Sequence, residues 1–250
     1  LYPMSFIEFV MAMGEDNLAK LLQTKDWNMI QLFAPKFHEL LKYYYYVGGM
    51  PEAVLSFSQN RDWLEVREIQ NEILKSYHRD ISKHAPSDIV PRISDLWNSI
   101  PAQLSKENRK FIYGIVREGA RAREYEIALQ WLLDAGLIYK VYNVKAPRIP
   151  LKSYEDRAAF KIFLLDVGLL GAMSRLKAST IVDGNVIFTE FKEEDHVIPL
   201  EVKAETNVKA KSLRQFVLEN NPALAYRISM NDYQVDTWLV NLPLYAVNTL

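Results

Sequence analysis

Residues 198–204 are Ile-Pro-Leu-Glu-Val-Lys-Ala, and this stretch decides how the C-terminal part of the chain is interpreted. In a β-strand, residues two positions apart lie on the same face, so Glu201 and Lys203 share one face and Val202 lies on the other. In many metal-dependent phosphodiesterases, carboxylates on such a strand bind a divalent cation and a lysine polarises the attacking water. The ordinary alternative is a solvated strand face that carries an ion pair.

Basic residues follow this strand closely. Between residues 203 and 214 the only anion is Glu205, and the cations are Lys203, Lys209, Lys211 and Arg214. A basic loop and helix start beside a carboxylate strand can bind a phosphate backbone, so we predict phosphate or DNA binding by the last three of these cations. The alternative is an ordinary solvated helix N-terminus, although cations oppose the helix dipole there.

The rest of residues 151–250 alternates between strand and helix patterns. The predicted elements are strands at 160–166, 197–203, 223–229 and 244–247, a short apolar element at 167–173, and a helix at 209–219 with Leu213, Phe216 and Val217 inward. This order predicts a small α/β sheet domain.

Residues 87–150 have the element order of a winged helix. An apolar helix face is followed by helices at 111–117 and 123–135 and a strand at 137–144. The predicted core residues of this unit include Trp97, Ile100, Leu129 and Leu132. Acidic Glu126 and Asp134 point outward from the helix at 123–135, so packing between domains is favoured over DNA recognition.

Residues 1–86 are predicted to be helical. Ser5 and Glu8 form a capping box, and Pro51 suits the first turn of a helix after Gly48-Gly49. A further helix is predicted from about Asp62 to His78. The core candidates of this helix are Leu64, Ile69, Ile73 and Leu74. Apolar residues also recur at helical spacing earlier in the chain, at Leu32, Phe33, Phe37, Leu40 and Leu41.

Composition excludes several functions. The 250 residues have 30 Lys+Arg against 31 Asp+Glu, so overall charge does not hold the protein to nucleic acid. Cysteine is absent, which excludes disulfides and thiolate sites and fits a reducing compartment, predicted to be the cytoplasm. The histidines have no HxxxH or HExxH spacing, so zinc is not predicted. We find neither an apolar run of the roughly 20 residues that span a bilayer nor a glycine pattern that cradles phosphate.

Several stretches, taken in order, resemble one bacterial family. They are YPMSFIEF (2–9), VGGMPEAV (47–54), YHRDI (77–81), GARAREYE (119–126), WLLDAGLI (131–138), FK (160–161), DVGLL (166–170) and EVK (201–203). Together they resemble the AAA-type ATPases that carry a C-terminal domain of unknown function with a PD-(D/E)XK nuclease-like core. The likeness runs through nearly the whole chain, and the order of the pieces makes it more specific than any one of them.

The resemblance implies an α+β protein in three parts: a helical lid region at 1–86, a winged helix at 87–150 and a restriction-endonuclease-like sheet domain at 151–250. It places Leu1 just past an ATPase core, so that ATP would bind only to that core. It implies that Glu201 is a catalytic metal ligand, that Lys203 is the catalytic lysine, and that the metal is Mg²⁺. The implied partners are DNA and, in the complete protein, ATP; a membrane is not implied, and the oligomeric state stays open.

One part of the family pattern is missing from the sequence. The family has a helix with an acidic residue, and then a strand ending in a metal-binding Asp, before the Glu-x-Lys strand. Too few residues separate Phe188 from Val197 for both elements, at about 1.5 and 3.3 Å per residue. We therefore expect a segment to be absent between about Thr189 and Asp195, the alternative being a protein that has lost half of its site.

Two other functions stay open at this point. In one, the nuclease-like domain does not cleave and serves as a docking or regulatory module that couples ATP-driven motion to a protein or DNA partner. In the other, the chain is a purely structural helical adaptor. Metal binding by the complete protein would separate the nuclease from the docking module.

Overall fold

The computed structural model is a mixed α+β fold, as predicted, in which helices dominate and the sheets are small. The structure describes residues 2–105, 110–144, 150–179, 193–194, 200–203, 211–220 and 225–249. At 193–194, 200–203, 211–212 and 219–220 it describes the backbone alone.

Short helices form the N-terminal part. They are α1 (Phe6–Ala12), α2 (Asp16–Thr24), α3 (Trp27–Leu32), α4 (Ala34–Val47), α5 (Pro51–Asn60) and α6 (Trp63–His84). The predicted capping box of α1 is confirmed, since Ser5 Oγ accepts from Glu8 N and the Glu8 carboxylate accepts from Ser5 N at 2.7 Å. Pro51 begins α5, also as predicted.

Helix α6 is longer than the sequence suggested. It has 22 residues and ends at His84, so the predicted end at His78 is wrong. No helix breaker lies between these histidines, and Pro86 disfavours helical geometry at the residue before it, where the chain becomes extended. None of the helices in the described part of the chain is both long enough and apolar enough to cross a membrane.

The core prediction for Leu64 is wrong, because this residue is 76% exposed. The apolar repeat from Leu32 to Leu41 is interrupted, since Leu32 and Phe33 are 72% and 41% exposed, whereas Phe37 and Leu40 are buried. The run containing Leu32 and Phe33 is not one helix, because α3 ends at Leu32 and α4 begins at Ala34. Leu64 lies in the first turn of α6, and the buried residues of that helix are Val66, Gln70 and Ile81.

The middle of the chain has three helices and a pair of strands. They are α7 (Val90–Ser105), α8 (Tyr113–Val116), α9 (Ala122–Asp134), β1 (Ile138–Val144) and β2 (Glu155–Leu164), followed by α10 (Val167–Met173). Helix α7 packs against α8 and α9, and β1 pairs with β2. The predicted burial is confirmed for all four core residues, namely Trp97, Ile100, Leu129 and Leu132.

A five-stranded sheet forms from the C-terminal part. Its elements are β3 (Glu193–Glu194), β4 (Leu200–Lys203), α11 (Lys211–Asn220), β5 (Tyr226–Ser229), β6 (Gln234–Val235) and β7 (Val240–Pro243). The strand order is β3-β4-β5-β7-β6. Strands β4, β5 and β7 are parallel, and the two edge strands are antiparallel to their neighbours. Helix α11 packs Leu213 against Ala225 and Leu239.

The predicted strand at 244–247 is wrong. Residues Leu244–Thr249 form a 3-10 helix, and the strand is β7, which ends at Pro243. Proline has no backbone N–H for the ladder, so it ends the strand. The apolar run from Leu244 to Ala246 is buried. Such short apolar runs occur both in buried strands and in buried helices, so the pattern did not distinguish the two.

The chain divides into two compact units. The helical unit comprises Leu1–Pro3, Tyr45–Asn143 and Asp156–Lys177, and the sheet unit comprises Met4–Tyr44, Val144–Glu155 and Ala178–Leu250. Each unit collects separate segments of the chain. The boundaries expected near residues 86 and 150 therefore stay predictions about the family pattern.

Candidate functional site

A row of polar positions crosses the whole five-stranded sheet. In strand order the paired positions are Glu194, Glu201, Arg227, Asn241 and Gln234. We call these five positions the polar row. Paired residues of neighbouring strands lie on the same sheet face, so the register gathers two acids, one cation and two amides on one line.

Two side chains of the row, Arg227 and Asn241, form a buried hydrogen-bond network with Ser229, which lies two positions after Arg227 on β5. Arg227, Ser229 and Asn241 are 7%, 0% and 1% exposed. Arg227 Nε donates to Asn241 Oδ1 at 2.8 Å, and Ser229 Oγ donates to the same oxygen at 2.7 Å. Asn241 Nδ2 donates to the carbonyls of Asn231 and Asp232 at 3.2 and 2.8 Å. The network fixes the Asn241 amide and ties β7 to the turn that follows β5.

Glu201 and Lys203, the two predicted catalytic residues, lie on β4. This strand is interior to the sheet, between β3 and β5. Glu201 is paired with Arg227, and Lys203 is paired with Ser229. The backbone pairing therefore places both predicted residues next to residues of the buried network, on the same face of the sheet.

The structure describes two of the three predicted phosphate-binding residues. Lys211 begins α11, and Arg214 is exposed on the same helix. Lys209 lies outside the described residues, as does the expected gap at 189–195 apart from the two residues of β3. The described contacts do not join Arg214 to the polar row.

A second polar cluster lies in the helical unit, around the buried Asp166. Gly49 N donates to Asp166 Oδ2 at 2.6 Å, and Leu169 N donates to Oδ1 at 2.9 Å, which makes Asp166 the N-cap of α10. Burial raises the pKa of this carboxyl, while its backbone hydrogen bonds act in the opposite direction. Gly48 has a φ of 74°, and a Cβ there would overlap the Asp166 carboxylate.

Gln70 and Arg67 complete this cluster. Gln70 Nε2 donates to the carbonyls of Tyr46 and Val47 at 2.8 and 3.0 Å, which satisfies the last turn of α4. Arg67 donates to Gln70 Oε1 at 2.8 Å and to the Leu176 carbonyl at 2.9 Å. The motif stretches at 47–54 and 166–170 therefore meet in space.

His38 packs against the C-terminal 3-10 helix within the sheet unit. Its ring lies edge-on to Tyr245, with centroids 5.2 Å apart, and Tyr245 stacks on Phe37 at 4.8 Å. In the described part of the chain, His38 Nε2 and Tyr245 Oη are buried polar atoms with no hydrogen-bond partner. Burial lowers the pKa of His38, with Lys42 acting in the same direction and Asp232 and the Met230 backbone opposing it.

Arg227, Ser229 and Asn241 were not predicted as site residues from the sequence. The available signal was in the predicted strand at 223–229, where Arg227 and Ser229 alternate with Tyr226 and Ile228. Two polar residues on one face of a buried strand indicate a network. Their pairing with Glu201 and Lys203 depends on strand order, which the pattern alone does not contain.

No group of three or more acidic or histidine side chains that could hold a metal ion occurs among the residues whose side chains are described. The predicted ligand Glu201 and its neighbour Glu194 are described at the backbone alone. The Mg²⁺ expectation therefore depends on the strand register.

A family model described as a domain of unknown function, DUF8612, matches residues 38–180, which is more than half of the chain. The chain belongs to this family. No curated protein and no solved structure matches this chain. The DUF8612 segment includes every residue of the Asp166 cluster and ends before β3, so the polar row lies outside it.

Proposed function

We propose that this chain is the portion of an ATP-binding AAA-type ATPase that follows the ATPase core, and that residues 151–250 form a nuclease-like domain that associates with DNA. The support is the ordered series of motif stretches from residue 2 to residue 203. The connection from β4 through α11 to the parallel β5 agrees with this proposal, because a nuclease-like sheet carries its Glu-x-Lys strand in such a unit.

The element order of the middle region supports the proposed winged helix. Helices α7, α8 and α9 are followed by the paired strands β1 and β2, which is the order of three helices and a wing. Acidic Glu126 and Asp134 are exposed on α9, so the proposed role of this unit is packing between domains.

The observation that carries the proposal is the position of Glu201 and Lys203. Both lie on an interior strand, and Glu194 is the position paired with Glu201 on the other side. In the cleaving form of the proposal, Glu201 binds Mg²⁺ with Glu194 as the second acid, and Lys203 acts on the attacking water. When bound, the metal would supply Lewis-acid activation of water or phosphate. Lys209, Lys211 and Arg214 would bind the DNA backbone.

The test of the ATPase proposal uses the complete encoded protein. We expect it to contain a P-loop upstream of Leu1, to hydrolyse ATP and to bind duplex DNA in a mobility-shift assay. A complete protein with neither ATP hydrolysis nor DNA binding would contradict the proposal.

The cleaving form is tested on the same protein with Mg²⁺ or Mn²⁺. Glu201→Ala should remove metal binding and cleavage, whereas Lys203→Ala should lower the cleavage rate and leave metal binding largely intact. An exposed ion pair would instead give changes below about 1 kcal/mol in unfolding free energy and no other effect.

A second candidate function is a docking or regulatory module that does not cleave. Buried Arg227 favours it, because this cation occupies the register position beside the proposed metal ligand. In this form the winged helix and the nuclease-like domain at 151–250 couple nucleotide-driven motion to a DNA or protein partner, and Mg²⁺ is required only by the ATPase core.

A further inference from the structure

Arg227 is a buried cation in the middle of the polar row. Its side chain is 7% exposed, and its Nε donates to Asn241 Oδ1 at 2.8 Å, which is an uncharged acceptor. Removing a guanidinium from water costs several kcal/mol unless an anion and further acceptors surround it. A carboxylate on the neighbouring strand is the group that best offsets this cost.

Glu201 occupies that neighbouring position. It is paired with Arg227 on one side and with Glu194 on the other. Neighbouring strands lie about 4.8 Å apart, and like charges directly opposite each other destabilise a sheet. A cation next to Glu201 relieves the repulsion between the two acids, and Arg227 supplies one from within the sheet.

A divalent metal fits poorly beside this arginine. Mg²⁺ needs about six oxygen ligands and keeps several waters, whereas a guanidinium offers donors only and cannot ligate a cation. Two cations a few ångströms apart also repel each other. The burial of Arg227 leaves its guanidinium little room to move away into water.

We propose that Arg227 is the cation that neutralises Glu201, and that the polar row consequently binds no Mg²⁺. The inference rests on the proposed function only in taking β4 as the Glu-x-Lys strand of a nuclease-like sheet. It assigns that sheet to the docking form, in which the row is a structural ion-pair network and does not catalyse cleavage.

The first experiment is a calorimetric titration of the 250-residue chain with MgCl₂ and with MnCl₂. We expect no saturable binding heat that depends on Glu201. A saturable heat in the wild type that is lost in Glu201→Gln would overturn the proposal.

The second experiment is a thermal double-mutant cycle of Arg227→Met and Glu201→Gln. Each single variant leaves one charge of the proposed pair without its partner, so each should lower the Tm. The double variant should lower it by less than the two single shifts together, with a difference of roughly 2–10 °C. Additive shifts would show that the two residues do not interact and would contradict the proposal.

Two further variants keep the cycle interpretable. Arg214→Met makes the same change at an exposed arginine of α11 and should leave the Tm unchanged. Arg227→Gln also removes the charge but keeps a polar side chain, and it replaces Arg227→Met in the cycle if the latter does not fold. Glu201-dependent metal binding would refute the arginine assignment and leave the nuclease-like function standing. Absence of ATP hydrolysis and DNA binding in the complete protein would refute the proposed function whatever the cycle gives.

Discussion

Gly48 allows the turn between α4 and α5 to reach the Asp166 carboxylate. Its φ of 74° is one that alanine adopts at a cost, and a Cβ would overlap the carboxylate that accepts hydrogen bonds from Gly49 and Leu169. Gly48 therefore meets two separate requirements: a left-handed backbone, and a close approach to a buried acid.

Comparing Gly48→Ala with Gly14→Ala should separate these two requirements. We expect Gly48→Ala to lower the unfolding free energy by about 3–5 kcal/mol, because the left-handed strain adds to the displacement of a hydrogen-bonded carboxylate. Gly14→Ala is the matched control, since Gly14 has a φ of 84° and open space around it, and it should cost only about 1–2 kcal/mol. Urea unfolding measures both, and equal losses would contradict the proposed contact.

His38 should make stability depend on pH. Its pKa is lowered from 6.5 in the folded protein, so the unfolded chain takes up the proton first as pH falls. The unfolding free energy should therefore fall as pH drops from about 6.5 toward the lower folded pKa, with no contribution above that window. His38→Gln should flatten this slope, whereas His78→Gln on the exposed side of α6 should retain it. Unfolding curves recorded at pH 5 to 8 test this, and an unchanged slope in His38→Gln would show that another group titrates.

Local chemistry made some elements predictable. The Ser5–Glu8 box, Pro51 at the start of α5 and the turn at Gly136 each depend on neighbouring residues alone, so the sequence contains the information. The register of Glu201 against Arg227 depends instead on which strands become neighbours. Strand order is a property of the whole sheet, and this is why β4 was predicted and the polar row was not.

Helix α7 buries the large side chain of Trp97. Trp97 is 4% exposed and contacts Tyr77 edge-on, with ring centroids 6.2 Å apart. Trp97→Ala should cost roughly 3–5 kcal/mol in unfolding free energy, because it removes a large buried side chain and leaves a cavity.

The control is an exposed apolar residue on α9, a helix that packs against α7. Ile127 on α9 is 67% exposed, so Ile127→Ala should change the unfolding free energy by less than about 0.5 kcal/mol. A small loss for Trp97→Ala, comparable with this control, would mean that α7 is held by other contacts.

Across the whole molecule the charges nearly cancel, with a net charge of −1, so any DNA binding must come from a local patch. Replacing Lys209, Lys211 and Arg214 by Gln in the complete protein should reduce the slope of log affinity against log salt by roughly 2–3, at about 0.9 per lost phosphate contact. Arg121→Gln with Arg123→Gln, at the exposed start of α9, should leave the slope unchanged. Fluorescence anisotropy at several salt concentrations measures the slope. A slope that is reduced by the Arg121 and Arg123 changes, and not by the other three, would place the DNA contact on the winged helix.

The hydrogen bond from Gly49 to Asp166 spans 117 positions of the chain. During synthesis at about 5–20 residues per second, the turn at Gly48 is therefore made roughly 6 to 25 seconds before its carboxylate partner exists. Until then the carbonyls at the end of α4 can be satisfied by Gln70, which is translated within a few seconds of them. We therefore expect the nascent chain to assemble the α4–α6 side of the cluster first and residues 166–170 to complete it.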